Sequence, residues 1–123
     1  MKNYKNQQTI IPYLMLENAL AFIDFAKVVF NADVNLLNLA DDNRTVLNAE
    51  LQIGHNVFLL TEAKDKYGKA VGNFLVYVGN ADDTFNRSLF HGASIVTELA
   101  DMDYGRIGGI EDPFGNTWWI TAV

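Results

Sequence analysis

The sequence predicts an α+β fold made of two copies of a strand–helix–three-strand (βαβββ) module. Helical periodicity appears twice, over residues 19–30 and 81–90, each time directly after an asparagine. One β-rich run precedes each helix and three follow it. Short motifs also recur in step. Asn18-Ala19 and Asn80-Ala81 open the helices, Phe30-Asn31-Ala32 and Phe90-His91-Gly92-Ala93 close them, and Glu50 and Glu111 each stand four residues before a glycine, Gly54 and Gly115. Self-similarity of this kind is the mark of an internal duplication.

The first module opens with an apolar, β-rich run over residues 9–16 that contains Pro12, a residue that strands accept at an edge or bulge. Asn18 is expected to cap the first helix with its side chain. Ala19, Phe22, Ile23, Ala26 and Phe30 then share one helical face, with Asp24 and Lys27 on the other side. Asn31 suits the left-handed conformation that closes a helix. Residues 34–39 predict a short strand and Asp41-Asp42-Asn43 a turn. Residues 45–53 and 56–61 predict a hairpin through Gly54-His55. The charged stretch from Glu62 to Lys69 reads as a linker. Module one therefore runs from about residue 9 to 62, the linker from 63 to 71 and module two from 72 to 123, all within a single domain, 1–123.

In the second module the expected strands are 73–78, 94–97, 106–111 and 117–122, and a helix over 81–90 is capped by Asn80 and followed by Gly92. A loop through Met102-Asp103-Tyr104-Gly105 separates the second and third of these strands.

Half of the 123 residues are hydrophobic, enough for a core at this length. The absence of cysteine rules out disulfides and thiolate metal sites. A net charge of −6 with no Lys/Arg cluster opposes binding to phosphate backbones, so no nucleic-acid partner is expected. The first residues, Met1-Lys2-Asn3-Tyr4-Lys5-Asn6, are polar and no apolar signal core follows them. No apolar run approaches the ~20 residues of a membrane helix. A cytoplasmic protein with no membrane partner is the expectation. The Gly-Lys-Ser/Thr phosphate loop, the Gly-x-Ser-x-Gly elbow and the paired-histidine helix are all missing.

Four segments carry a resemblance: Pro12-Tyr13-Leu14, Ala21-Phe22-Ile23-Asp24-Phe25, Asn48-Ala49-Glu50-Leu51-Gln52-Ile53-Gly54, and Asp112-Pro113-Phe114-Gly115-Asn116-Thr117-Trp118-Trp119-Ile120. They resemble the PhnB-like branch of the vicinal oxygen chelate (glyoxalase/bleomycin-resistance/dioxygenase) superfamily, over nearly the whole chain from Thr9 onward. The last run is the most specific. The resemblance implies modules that form a curled mixed sheet around a central cavity, commonly in a homodimer. It also implies a divalent metal held by His, Glu or Gln on the first and fourth strands of each module. Those positions fall here at Ile11, Phe58, Asn73 and Trp119, with Leu60 replacing Phe58 if the hairpin slips. Three apolar side chains and one amide do not make a zinc, magnesium or manganese site. The first histidine of the family's HAEL stretch is Asn48 here. No metal or other cofactor is therefore expected, although the family background would supply a divalent one.

What remains is a pocket for a small molecule. Strand alternation groups Ile11, Tyr13 and Met15 on one side, then Asn73, Leu75 and Tyr77, then Thr117, Trp119 and Thr121. Tyr13, Asn48, Phe58, Asn73, Tyr77, Tyr104, Arg106 and Trp119 are the expected ligand-binding residues. Trp119 is a pocket wall or else plain core or dimer interface. Trp118 is expected to pack toward the helix. Tyr104 and Arg106 either clasp an anionic or phenolic ligand or anchor their loop. Glu50 is the candidate catalytic acid or base, since a carboxylate on an inward face can have a raised pKa. Its structural alternative is a partner for Arg44, Arg106 or a backbone amide. Glu111 is expected to be structural, and His55 and His91 solvated. Two functions follow. One is a metal-free homodimeric binding protein that sequesters or senses an amphipathic or aromatic ligand. The other is a glyoxalase-like lyase, isomerase or dioxygenase-type enzyme using Glu50 or a relocated metal. A pure dimerisation or scaffold unit is the third alternative.

Overall fold

The computed structural model describes residues 8–64 and 68–123. The polar stretch at residues 1–6 and the middle of the expected linker, 65–67, lie outside the described residues. The chain divides into two compact units, residues 1–70 and 71–123. Each contains one βαβββ module, as the sequence predicts.

Unit one comprises β1 (Tyr13–Leu16), α1 (Ala19–Phe30), β2 (Asp33–Leu39), β3 (Val46–Ile53) and β4 (Asn56–Glu62). Its sheet has the order β1-β4-β3-β2, with β1 parallel to β4 and the other pairs antiparallel. Strand pairing starts only after Pro12, so the expected strand from Thr9 is shortened to four residues. Proline cannot donate to a ladder, but its carbonyl accepts from Leu59 N at 2.9 Å and leads the chain into β1. Leu14 and Leu16, with Ala49, Leu51, Phe58 and Leu60, form a buried face. Helix α1 lies against β1, β3 and β4 on that side, burying Phe22, Ile23, Ala26 and Phe30 as its spacing predicts, and Phe25 and Val29 as well.

The start of α1 departs from expectation. Asn18 is in the left-handed conformation, φ 59°, and its side chain makes no capping bond. Glu62 does the capping instead. One carboxylate oxygen accepts from Asn18 N at 2.8 Å and Ala19 N at 3.3 Å, while the other accepts from Val46 N at 3.1 Å. A negative group on the first exposed amides satisfies donors that the helix cannot, and complements its dipole. Glu62 is thus the last residue of β4 and a tie between three elements, not the first residue of a linker. Asn31 closes the helix in the left-handed region, as expected.

The Asp41–Asn43 turn is built on Asp42. Its carboxylate accepts from Thr45 Oγ1 at 2.6 Å and from the backbone N–H groups of Thr45 and Arg44 at 2.8 Å. The Thr45 hydroxyl, followed by those two amides, lowers its pKa from 3.8 to about 2. A depressed folded-state pKa stabilises the turn above the unfolded value of 3.8, and that contribution is lost as pH falls through about 2. Thr45→Val is expected to move the Asp42 titration upward toward 3.8, as carboxyl NMR shifts would report. An unmoved midpoint would count against the hydroxyl as the main cause.

Unit two comprises β5 (Asn73–Tyr77), α2 (Ala81–Phe90), β6 (Ser94–Met102), β7 (Gly105–Glu111) and β8 (Thr117–Ala122). The sheet order β5-β8-β7-β6 repeats that of unit one. Here the asparagine cap is as expected, with Asn80 Oδ1 accepting from Asp83 N at 3.1 Å. Strand β6 runs on to Met102, five residues past the expected end. Its register against β7 shifts twice, between Ile95 and Thr97 and between Thr97 and Ala100. The corresponding strand β2 also carries shifts, around Asn35 and beside Leu39. Such irregularities blur the period-two pattern and explain why the strand looks shorter in sequence.

The terminal motif is structural. Asp112 is buried, and its Oδ1 accepts from Phe114 N and Asn116 N, both at 2.9 Å. Its Oδ2 accepts from Asn116 Nδ2 at 3.0 Å and Trp118 Nε1 at 2.9 Å. Asn116 Oδ1 then takes Gly72 N at 2.8 Å, tying the turn to the start of β5. Trp118 is buried against Phe74, ring centroids 4.7 Å apart, on the core face where alternation places it.

Candidate functional site

In each unit, the sheet face away from the buried layer carries the residues with chemistry. The register defines it. In unit one Glu50 pairs with Leu59, and Leu59 with Tyr13, so these side chains share a face, with Met15 and Thr61 next along. Tyr13, Met15, Thr61, Glu62 and Lys64 line an open hollow of about 320 Å³.

Phe58 is on the other side. It pairs with Leu51, one of the buried-face residues, and is itself buried, as is Leu60. Its assignment to the ligand-binding face is therefore corrected: the fourth-strand residue on that face is Leu59, and the alternative register through Leu60 fails for the same reason. Ile11 precedes β1 and belongs to no strand.

Glu50 is 1% exposed and accepts a 2.7 Å hydrogen bond from Asn35 Nδ2. Asn35 is the extra residue where the β2–β3 register shifts between Val34 and Leu36. The bulge turns its amide onto Glu50 and also onto Gln52 Oε1, at 3.1 Å. Asn35 escaped the sequence reading, and the consecutive Leu36-Leu37, which breaks strict alternation, is the signal that marks the bulge. Asn35 is one partner of Glu50, through a side-chain amide, while Arg106 is held by Asp82 and Asp101. Asn48, exposed on the same strand, accepts from Asn38 Nδ2 at 2.7 Å.

In unit two, Asn73, Leu75 and Tyr77 pair with Thr117, Trp119 and Thr121, and Trp119 pairs with Gly109. Two expected site residues meet here: Trp119 Nε1 donates to Asn73 Oδ1 at 2.8 Å. The Trp119 ring covers Gly109, where an added Cβ would stand 2.6 Å from ring carbon Cζ3. Tyr77 lies on the same face and is 70% exposed.

Arg106 is not brought to this face. Alternation along β7 puts it on the Trp118 side, where Nε and Nη2 hold the Asp82 carboxylate of α2 at 2.8 and 3.0 Å and Nη1 meets Asp101 at 3.1 Å. That bidentate clasp lowers the Asp82 pKa and raises that of Arg106. The structure places Arg106 as an anchor between helix and hairpin. Tyr104, 57% exposed, occupies the β6–β7 turn. His55 and His91 are both exposed.

The two modules superpose by register rather than by motif. Tyr13 and Leu75 stand six residues before the first residue of their helices, and pair with Leu59 and Trp119. Leu59 and Trp119 in turn pair with Glu50 and Gly109. The counterpart of Glu50 is therefore Gly109, not Glu111, which ends β7 exposed.

The first- and fourth-strand positions on these faces thus present Tyr13, Met15, Leu59 and Thr61 in unit one, and Asn73 and Trp119 in unit two. Neither unit's set fits a divalent cation, which needs about three good donors as zinc or several oxygens as magnesium or calcium. Among the described residues, no three His, Cys, Asp or Glu side chains gather where they could hold a metal. No helix among them is long and apolar enough to cross a membrane.

A family model described as Glyoxalase/Bleomycin resistance protein/Dioxygenase superfamily matches residues 23–120. The chain belongs to this superfamily. Among curated proteins, an uncharacterized protein of Mycobacterium tuberculosis is 31% identical over 124 residues, covering 91% of this chain and 72% of that one. Among solved structures, TioX from Micromonospora sp. ML1 is 24% identical with a TM-score of 0.74, covering 94% of this chain and 96% of its own. A PhnB protein from Bacillus cereus is 17% identical, also at 0.74, covering 94% and 100%. At these identities the structures establish the glyoxalase-type fold alone.

Proposed function

We propose that this chain is a small-molecule-binding protein of the glyoxalase/bleomycin-resistance fold that has lost the family's metal site, and that as a cytoplasmic homodimer it sequesters or senses an amphipathic or aromatic ligand. The observation that carries this reading is Trp119, hydrogen-bonded to Asn73 at a strand position where relatives with metal chemistry present a donor to the cation. Exposed Leu75 and Tyr77 on the face of Trp119 supply the apolar surface, and the Asn73 amide supplies orientation.

A thermal-shift screen of aromatic and amphipathic compounds tests it. A ligand at ~100 times its Kd adds about 2.7 kcal/mol of stability, and Trp119→Ala is expected to remove the shift. A shift unchanged by that substitution would take Trp119 out of the site, and no stabilisation by any compound, or one tightly held divalent metal per chain in elemental analysis, would overturn the reading.

The buried carboxylate of Glu50 favours a second reading, a metal-free enzyme in which it is the acid or base. There, Glu50→Gln is expected to abolish turnover and spare binding, and retained turnover would remove Glu50 from that role.

A further inference from the structure

We infer that Trp119 is a fixed stacking shelf, and that the molecule it takes is a flat conjugated ring with a hydrogen-bond acceptor at its rim. The inference rests on the small-ligand reading above and narrows it to a chemical class.

The shelf follows from how the indole is held. Trp119 stands on β8, between β5 and β7. Its Nε1–H donates toward β5, to Asn73 Oδ1 at 2.8 Å. Its six-membered ring extends the opposite way over β7, where a Cβ on Gly109 would stand 2.6 Å from Cζ3, 2.8 Å from Cε3 and 3.2 Å from Cη2. The indole therefore spans three strands and lies along the sheet. The shelf assigned to it has one π face on the Gly109 backbone, against which the six-membered ring packs, and the other turned away on a half-buried side chain. The surroundings on this side stay open, with Asn73 exposed, Leu75 50% exposed and Tyr77 70% exposed. A ring pinned at both ends loses little freedom when a second ring stacks on it.

The acceptor requirement follows from hydrogen-bond polarity. An indole N–H can only donate, so Asn73 must turn its carbonyl oxygen to it. That choice leaves the Asn73 NH₂ group, with its two donors, on an exposed side chain at the edge of the shelf. A ketone, nitro or carboxylate oxygen at the edge of a stacked ring would meet a donor. An ammonium group there would set donor against donor, even though the net charge of −6 favours cations in general.

Three probes separate these effects: 2-acetylnaphthalene, which is flat with a neutral acceptor; cyclohexyl methyl ketone, which keeps the acceptor without the flat ring; and naphthalen-2-ylmethylammonium, which is flat with donors only. The full chain is titrated with each while the Trp119 indole N–H and Asn73 side-chain amide signals are followed by NMR. Only 2-acetylnaphthalene is expected to move both. Gly109→Ala should weaken it at least tenfold by lifting the ring, and Asn73→Leu about fivefold. Asn73→Leu is a surface change that keeps the test decisive if Gly109→Ala does not fold. Equal binding of all three probes, binding that spares both signals, or an Asn73→Leu variant as tight as the parent would overturn the inference. If a compound from the thermal screen stabilises the chain but leaves the Trp119 signal unmoved, the shelf is wrong and the binding reading survives. If no compound stabilises it, both fall.

Discussion

Asp112→Ala is expected to destabilise the chain by about 3–5 kcal/mol in urea unfolding, more than its place in a turn suggests. The substitution removes one acceptor from four donors: two backbone amides, the Asn116 amide and the Trp118 indole. Asn116 and Trp118 are themselves buried, so their donors cannot turn to water. Each buried donor left unpaired costs about 1–3 kcal/mol, and partial relaxation keeps the sum below the simple total. Asp112→Asn should be nearly as damaging. Both oxygens accept two bonds, so either orientation of the new amide sets NH₂ against donors. A loss under about 1 kcal/mol for both variants would mean that the staple carries little of the fold.

The second large effect tests the register of β4. Phe58→Ala is expected to cost about 3–5 kcal/mol, the range for truncating a buried aromatic, because the ring is on the buried face of the sheet. Leu59→Ala, one residue on, should cost less than half of that and should alter ligand binding instead, since Leu59 lies on the opposite face beside Glu50. Comparable losses at both positions would contradict this assignment. The reversed pattern would restore Phe58 to the site.

The duplication, both helices and all eight strands were legible in the sequence because periodicity and Asn/Gly punctuation are local signals. Trp118 and Asn80 show this well, since alternation alone placed the first and spacing the second. Phe58 failed for an instructive reason. The repeated spacings Glu50–Gly54 and Glu111–Gly115 match Phe58 to Trp119, four residues past each glycine, but the first hairpin turns through Gly54 and His55 whereas the second uses residues 112–116. Motif spacing across loops of unequal length shifts the register, and one residue of shift moves a side chain to the other face. Glu62 and Arg106 were misplaced because their partners, Asn18, Ala19 and Val46 for one and Asp82 for the other, are distant in sequence. Charge alone made one look like linker and the other like a ligand clasp. Asn73 and Trp119 were named for a shared face, while the hydrogen bond between them becomes visible only when β5 lies beside β8.

The interrupted registers of β2 and β6 bear on colloidal behaviour. Both strands form open margins of their sheets, and β6 exposes Ile95 and Val96. A long, straight, apolar margin would template fibril growth by stray chains. The inserted residues interrupt the register of that margin, so an incoming strand can match it only over short lengths, which works against templated growth along an apolar border.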